Sequence, residues 1–147
     1  MNQTFMGQGG TDEFVKQMFP VLRDSQPIVR ACAADALAVC LKIIVDPSRK
    51  HHSTTATLCQ IYSFVIDGLK IQKKVKNGSN TSSQASPSQI LAAQHASLLI
   101  VGDILTSVGT FMLPRFDEVC ECVLDLKSHK KDLLILEVVR LIVRFRK

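Results

Sequence analysis

Apolar residues recur at three- and four-residue steps along most of this chain, which is the spacing of amphipathic helices. Polar or Pro-containing stretches interrupt the pattern, so it predicts six separate helices. The first helix is expected from about residue 12 to the break DSQP. The next four are expected over 27–45, 53–74, 87–108 and 114–127, and the last begins after the turn KSHKK. We therefore expect an all-α protein.

Local signals mark several helix ends. Pro27 suits the first position of the second helix, where its missing N–H leaves no hydrogen bond unmade. Ser86, Pro87 and Gln89 stand as N-cap, first helical residue and third member of a capping box at the start of the fourth helix. Gly109 is expected to close that helix in a left-handed conformation.

The first and last helix pairs repeat one pattern. The segments FVKQMFPVLRDSQPIVRACAADALAVCL and FDEVCECVLDLKSHKKDLLILEVVRLIV both consist of an apolar helix, a short polar turn and a second apolar helix. The matched positions are Phe14, Val21 and Leu22 with Phe116, Val123 and Leu124, and Val29, Ala33, Ala36 and Cys40 with Leu134, Val138, Leu141 and Phe145. Helix pairs of about 40–47 residues are the unit of HEAT and armadillo arrays. The predicted fold is therefore an α-solenoid of about three antiparallel helix pairs.

A hairpin in a solenoid buries its lateral face against the next hairpin. The last helix carries an apolar stripe and no polar capping face, so we expect an open repeat face there and a longer array. The residues of this predicted face are Leu134, Val138, Leu141 and Phe145. Residues 1–11 are expected to be disordered, with HEAT-like repeats over 12–147 and a flexible loop at about 75–86.

Composition and cysteine usage narrow the class of protein. Hydrophobic residues make up 46% of the 147 positions and charged residues 21%, which is enough apolar material for a core. The five cysteines are scattered and follow no signal peptide, so we predict reduced thiols in a cytoplasmic protein. The stretch ILAAQHASLLIVGDILTSVG approaches membrane-spanning length but contains Asp103, which favours a helix buried in protein.

A net charge of +5 permits attraction to nucleic acid or anionic membrane. The candidate basic surface consists of Lys70, Lys73, Lys74 and Lys76. No aromatic residues interleave with these lysines, which favours a solvated face over a nucleic-acid site.

The remaining polar residues predict no catalytic, cofactor-binding or metal site. Cys120 and Cys122 are two residues apart and face nearly opposite sides of a helix; we expect Cys120 in the core and Cys122 partly covered. His95 and Asp103 are separated by about 12 Å along one helix, so each is expected to hydrogen-bond a neighbouring turn. No nucleophile and base come together in the sequence, and no cofactor is predicted.

Three segments resemble the amino-terminal HEAT region of target of rapamycin kinases. They are AADALAVCLKII, HASLLIVGDIL and FMLPRFDEVCECVLDLKSHKKDLLILEVVRLIVRF. In that family a helix similar to ARFDEVC, a K/R-x-H-K turn and a helix similar to LEIIRLIPRL follow one another. The resemblance covers residues 12–147 and is strongest over 111–147. The chain departs from the family in the loop KNGSNTSSQASPS and at Val143, where a proline often stands.

The resemblance implies a piece of a large serine/threonine kinase that dimerises and binds adaptor subunits in nutrient-dependent growth signalling. The kinase motifs themselves, a Gly-rich loop, HRD and DFG, are absent from this sequence. The expected function is therefore a non-catalytic scaffold, with following repeats and adaptor subunits as partners, in the cytoplasm or peripheral at endomembranes. The alternative is a free-standing helical-repeat adaptor that binds nucleic acid or anionic membrane through its Lys-rich loop.

Overall fold

The computed structural model describes residues 8–48, 54–71, 85–127 and 132–144, and its regular elements in these ranges are all helical. The long helices are α1 (Gln8–Leu22), α2 (Pro27–Ile44), α3 (Thr54–Leu69), α4 (Pro87–Ser107), α5 (Phe116–Lys127) and α6 (Asp132–Arg144). A helical corner, made of Gly109–Met112 and a 3₁₀ turn at Leu113–Arg115, joins α4 to α5. The predicted all-α class is confirmed.

The six helices form three hairpins stacked side by side. Within the hairpins, α1 packs on α2, α3 on α4 and α5 on α6. Between hairpins, α3 contacts α1 and α5, while α4 contacts α2 and α6. The odd-numbered helices therefore form one layer and the even-numbered helices a second, which is the arrangement of an α-solenoid. We refer to α5 and α6 together as the third hairpin.

Helix α4 lies at the centre of the stack. Its apolar residues continue around the whole helix because α2, α3 and α6 cover it from different sides. It is long and apolar enough to span a membrane by length and composition, but 61% of its most apolar window is buried against the other helices. The burial of this segment in protein agrees with the prediction made from Asp103.

The predicted helix starts are largely confirmed. Pro27 opens α2, and Ser86 caps α4 in a capping box: the Gln89 N–H donates to Ser86 Oγ at 3.3 Å, and the Ser86 N–H donates to Gln89 Oε1 at 2.8 Å. Helix α1 begins at Gln8, within the segment 1–11 that was expected to be disordered. Most of the predicted loop at 75–86 lies outside the described residues.

The prediction for Gly109 is wrong. Helix α4 ends at Ser107 with Val108 as its C-cap, and Gly109 opens the four-residue helix of the corner. Its backbone does not adopt a left-handed conformation. The chain continues helically through the corner because Met112, on this short helix, is buried in the core with 2% exposure.

The apolar side predicted for α1 is only partly the observed one. Leu22 is fully buried as predicted, but Phe14 and Val21 are 43% and 39% exposed, and Val15 is fully buried in their place. Helix α1 packs against both α2 and α3, so its buried side faces the groove between these two helices. Asp12 takes part in this contact by accepting a hydrogen bond from the Thr57 hydroxyl of α3.

Candidate interaction surface

Helix α6 is apolar on two sides, and its inner side is the one that was predicted to be open. Leu134 and Val138 are 0% and 2% exposed, and Leu141 is partly buried against the core. The prediction of an open face is therefore wrong for these three residues, because they pack against the core between α4 and α5. Phe145, the fourth member of that prediction, lies outside the described residues.

The exposed side of α6 carries a second apolar stripe. Its spacing of three, four and seven residues places the members on one face of the helix. Their exposed fractions range from 38% to 65%, in the order Ile135, Leu136, Val139, Ile142 and Val143. An apolar stripe of this length on a helix of 13 residues is the kind of surface that packs against another helix.

Helix α5 shows the same division into two apolar sides. Its inner side consists of Val119, Cys122 and Leu126, which are 2–5% exposed. Phe116 and Leu124 stand on the outer side with 48% and 58% exposure. Two of the three positions matched in the sequence, Phe116 and Leu124, therefore lie on the outer side, since helical spacing alone allows either grouping.

The predicted environments of the two cysteines of α5 are exchanged in the structure. Cys122 is in the core, and Cys120 is only partly covered, on the outer side. Burial, and then the neighbouring Asp117 carboxylate, raise the pKa of the Cys120 thiol. All five cysteines of the chain are free thiols.

The outer apolar stripes of α5 and α6 face the same end of the stack of hairpins. On α5, Glu118 reaches back to the preceding hairpin, and Phe116 and Cys120 are each about 160° around the helix from it. On α6, Glu137 points toward α4, and Ile135 and Val139 are likewise about 160° away. We name this surface the outward face, formed by Phe116, Cys120, Leu124, Ile135, Leu136, Val139, Ile142 and Val143.

Charged residues of opposite sign border the outward face. Asp117 and Glu121 are exposed along the edge of α5 that is remote from α6. Arg140 stands on the opposite edge, on α6, where 65% of its side chain is exposed although its Nη1 donates to Glu137 Oε1 at 2.6 Å. The face therefore has an acidic edge and a basic edge.

The candidate basic surface is only partly within the described residues. Lys70 donates to Glu118 Oε1 at 2.6 Å, and Tyr62 donates its hydroxyl to Glu118 Oε2 at 2.6 Å. Hydrogen bonds from Lys70 and then Tyr62 lower the pKa of Glu118, which keeps this carboxylate charged. Lys70 thus ties α3 to α5. Lys73, Lys74 and Lys76 lie outside the described residues.

A buried polar network joins the even-numbered helices of all three hairpins. Arg30 of α2, His95 of α4 and Glu137 of α6 are 2%, 3% and 7% exposed. The Nε–H of Arg30 donates to His95 Nδ1 at 3.0 Å, and His95 Nε2 lies 4.0 Å from Glu137 Oε1. Arg30 also donates to the backbone carbonyls of Asp24 and Ser25, at 2.7 and 3.0 Å. These contacts fix the α1–α2 turn and the register of the layer.

The structure corrects the predictions for His95 and Asp103, which were expected to form hydrogen bonds with neighbouring turns. Instead each is held by a side chain from another helix. Asp103 Oδ1 lies 3.4 Å from both terminal nitrogens of Arg144 on α6. Burial raises the pKa of Asp103, and the Arg144 guanidinium opposes that shift. Sequence reasoning missed both contacts because they join residues about 40 or more positions apart.

Other features of the described residues offer little chemistry. A shallow depression of about 470 Å³ between α1 and α3 is lined by Phe19, Cys59, Gln60, Ser63, Phe64 and Asp67. The rings of Phe19 and Phe64 stack there at 4.5 Å, and the Arg23 guanidinium covers Phe64 at 4.4 Å. Within the described ranges, no group of three or more His, Cys, Asp or Glu side chains is placed to hold a metal ion.

Comparison with known proteins gives two matches to one kind of kinase. The chain is 32% identical over 132 residues to the serine/threonine-protein kinase TOR of Arabidopsis thaliana, and 30% identical over 132 residues to that of Oryza sativa subsp. japonica. Each match covers 90% of this chain and 5% of the relative. No family model and no solved structure matches the chain. The resemblance predicted from the sequence is confirmed: over most of its length, the chain is similar to a segment of target of rapamycin kinases.

Proposed function

We propose that this chain is a non-catalytic helical-repeat scaffold segment of a TOR-like serine/threonine kinase, serving protein–protein interaction and assembly in nutrient and growth signalling. The observation that carries the proposal is the outward face, an apolar surface of two helices at the end of a regular stack of hairpins. Such a surface adds another helical element in the way that each hairpin has added the next. We also propose that the three hairpins are HEAT repeats.

The use of the buried polar residues supports a structural role. Arg30, His95 and Glu137 join helices of three hairpins and are closed to solvent, so a substrate has no access to them. Tyr62, Lys70 and Glu118 join two further helices in the other layer. These two sets of polar contacts thus hold helices in register, as a scaffold requires.

The partners that we propose are further helical repeats of the same protein and adaptor subunits of a kinase complex, in the cytoplasm. The chain spans about 5% of the length of these kinases, so we assign kinase activity and its substrates to the longer protein of which this chain would be a segment.

A chimera tests the scaffold proposal. The matched 132 residues of the Arabidopsis thaliana relative are replaced by the corresponding residues of this chain, and a second variant lacks them. We expect the chimera to sediment with the assembled parent kinase and to phosphorylate a model peptide at the parent rate. The deletion variant should lose assembly. A chimera that fails to assemble although this chain folds would overturn the proposal.

The alternative function, an adaptor for nucleic acid or anionic membrane, makes a different prediction. Its binding to duplex DNA or phosphatidylserine vesicles would fall steeply between low and physiological salt. We expect no such binding at physiological salt, because Lys70 of the candidate basic surface is already paired with Glu118. Salt-dependent binding that disappears when Lys73, Lys74 and Lys76 are changed to Gln would favour the alternative.

A further inference from the structure

We propose that a groove along the even-numbered helices binds an acidic helix of a partner protein. The inference rests on the proposed function, which it deepens by naming the surface and the chemistry of one partner. We name this surface the even-layer groove. Helix α4 forms its floor, and its two sides carry Asp35 and Lys42 of α2 and Arg140 and Arg144 of α6. It is separate from the outward face, although Arg140 borders both surfaces.

Helix α4 forms a recessed floor. Ser97 faces α3, because a Cβ added to Gly68 of α3 would collide with Ser97 Oγ. His95 and Leu99 are each about 160° around the helix from Ser97, so they lie on the side of α4 that faces away from the odd-numbered layer. Even on this side, no residue of α4 from 90 to 105 is exposed, because α2 and α6 flank the helix.

The even-layer groove has room for one helix. Packed helices lie about 8–10 Å apart, so the axes of α2 and α6 are about 16–20 Å apart across α4. A helix with its side chains is about 10–12 Å across and fits between them over α4. Arg30, His95 and Glu137 close the floor, since each is at most 7% exposed. A ligand therefore meets the charged side chains on the two sides of the groove.

Cations are the exposed members of the ion pairs on the α6 side. The side chain of Arg140 is 65% exposed, and that of its partner Glu137 is 9% exposed. Arg144 is 46% exposed, and its partner Asp103, on the floor, is 21% exposed. In both pairs the carboxylate is recessed and the guanidinium faces solvent, so this side offers positive charge to a ligand. A guanidinium has five N–H donors, so Arg140 can bind a second carboxylate without releasing Glu137.

Lys42 adds a third cation on the α2 side of the groove. Burial has the largest effect on Asp103 and raises its pKa, and Arg144 opposes this shift. Smaller effects come from α2, where Asp35 raises the pKa of Asp103 and Lys42 lowers it. Both residues of α2 therefore lie close enough to the floor to act on Asp103 electrostatically. Together the two sides of the groove expose three cations and one carboxylate, that of Asp35.

The spacing of the two arginines matches the spacing of carboxylates on a helix. Arg140 and Arg144 are about one turn apart on the same side of α6, about 6 Å along its axis. Glutamates at positions i and i+4 of a partner helix have the same separation, so both can face the two guanidinium groups. Such charge-assisted pairs are stronger than neutral hydrogen bonds. A nucleic acid fits this surface less well, because Asp35 and the recessed carboxylates repel its continuous line of phosphates.

Fluorescence anisotropy with a labelled peptide tests the inference on the full chain. The probe is an alanine-based helix of about 14 residues with glutamates at i and i+4 positions, and its control has glutamine in place of each glutamate. At low salt we expect a dissociation constant on the order of 100 µM for the glutamate peptide and about tenfold weaker binding of the glutamine peptide. The affinity for the glutamate peptide should fall as salt is added.

Single-charge variants locate the binding site. Lys42→Gln and Arg140→Gln should each weaken binding of the glutamate peptide by about three- to fivefold, which is the range for exposed ion pairs. The matched control is Lys16→Gln, the same loss of charge at an exposed lysine of α1 in the other layer, which should leave the affinity unchanged. Asp35→Asn should strengthen binding, because it removes the exposed carboxylate of the groove. Circular dichroism verifies that the variants are folded.

The inference is overturned if the glutamate peptide shows no binding up to about 2 mM at low salt, or if Lys16→Gln weakens binding as much as Lys42→Gln does. It is also overturned, in favour of a nucleic acid, if duplex DNA binds more tightly than the peptide and loses affinity in the same groove variants.

The groove and the scaffold role fail separately. If the kinase chimera assembles but the peptide does not bind, only the inference about the groove fails. If the peptide binds in the groove but the chimera does not assemble, the scaffold proposal fails and the groove remains a binding site for an acidic helix.

Discussion

The Nε–H of Arg30 donates to His95 Nδ1 at 3.0 Å, and this bond joins α2 to α4 inside the stack. It requires a neutral imidazole, because Nδ1 can accept the hydrogen bond only when it carries no proton. Burial, together with the guanidinium groups of Arg30 and Arg140, lowers the pKa of His95 to about 4. Glu137 Oε1, 4.0 Å from His95 Nε2, is the acidic group on its other side.

The first prediction is a loss of stability in mild acid. The unfolded chain protonates His95 near pH 6.5 and the folded chain only near pH 4, so the unfolded state binds more protons between these values. The free energy of unfolding should therefore fall as the pH drops from about 6.5 to about 4, by up to ~3 kcal/mol from this residue. Urea unfolding followed by far-UV circular dichroism measures the loss.

The control for this prediction is His95→Gln, whose side-chain oxygen can still accept from Arg30 but which does not titrate. Its free energy of unfolding should depend less on pH over the same interval. Equal pH dependence in both proteins would show that His95 is not the group responsible.

The buried Arg30 side chain is expected to be costly to remove, because it connects α2 to α4 and to the α1–α2 turn. Arg30→Ala deletes the donor to His95 and to the carbonyls of Asp24 and Ser25, leaving buried acceptors unpaired. We predict a loss of about 3 kcal/mol in the free energy of unfolding. Arg30→Lys should recover part of it, since an ammonium group offers donors without the guanidinium fork. Lys42→Ala, an exposed change in the same helix, should cost less than about 0.5 kcal/mol.

Gly68 lets α3 approach α4 closely. A Cβ at this position would lie 2.1 Å from Ser97 Oγ and 2.9 Å from the Ala93 carbonyl oxygen. Gly68→Ala should therefore lower the free energy of unfolding by about 2–3 kcal/mol, because backbone must move as well as a side chain. The matched control is Gly109→Ala, where a Cβ meets no atom within 4 Å; this change should stabilise by up to ~1 kcal/mol. Thermal unfolding that ranks the two variants in the opposite order would contradict the packing.

Tyr62 is the single tyrosine of the chain, so its ionisation can be followed directly by absorbance at 295 nm. Burial, and then its hydrogen bond to the Glu118 carboxylate, raise the pKa of Tyr62 above its ordinary value of 10. Glu118→Gln should move the pKa back toward 10 by removing the negative charge. An unchanged titration in the variant would show that Glu118 does not contact the phenol.

The helices, their order and two of their starts could be predicted from the sequence because they depend on local spacing. Pro27 and the Ser86 capping box act within one turn, so nothing distant overrides them. Gly109 was misassigned because the buried Met112, not the glycine, decides how the chain leaves α4.

The open face could not be assigned correctly from periodicity. In α6 the residues Leu134 and Val138 lie on one apolar side and Val139 and Ile142 on the other, and both sides satisfy the same helical spacing. Which apolar side of α6 is buried depends on where α4 lies relative to it, and the spacing of residues does not carry this information. The contacts of Arg30 and Glu137 with His95 are equally invisible in the sequence, because each residue belongs to a different hairpin.

Val138 and Val139 give the most direct test of the stacked hairpins with an outward face, since they are adjacent, of one residue type, and 2% and 49% exposed. The measurement is the free energy of unfolding of Val138→Ala and Val139→Ala, at protein concentrations where the chain is monomeric. We predict a loss of about 2 kcal/mol for Val138→Ala and less than about 0.5 kcal/mol for Val139→Ala. A loss for Val139→Ala that equals or exceeds the loss for Val138→Ala would contradict the orientation of the third hairpin.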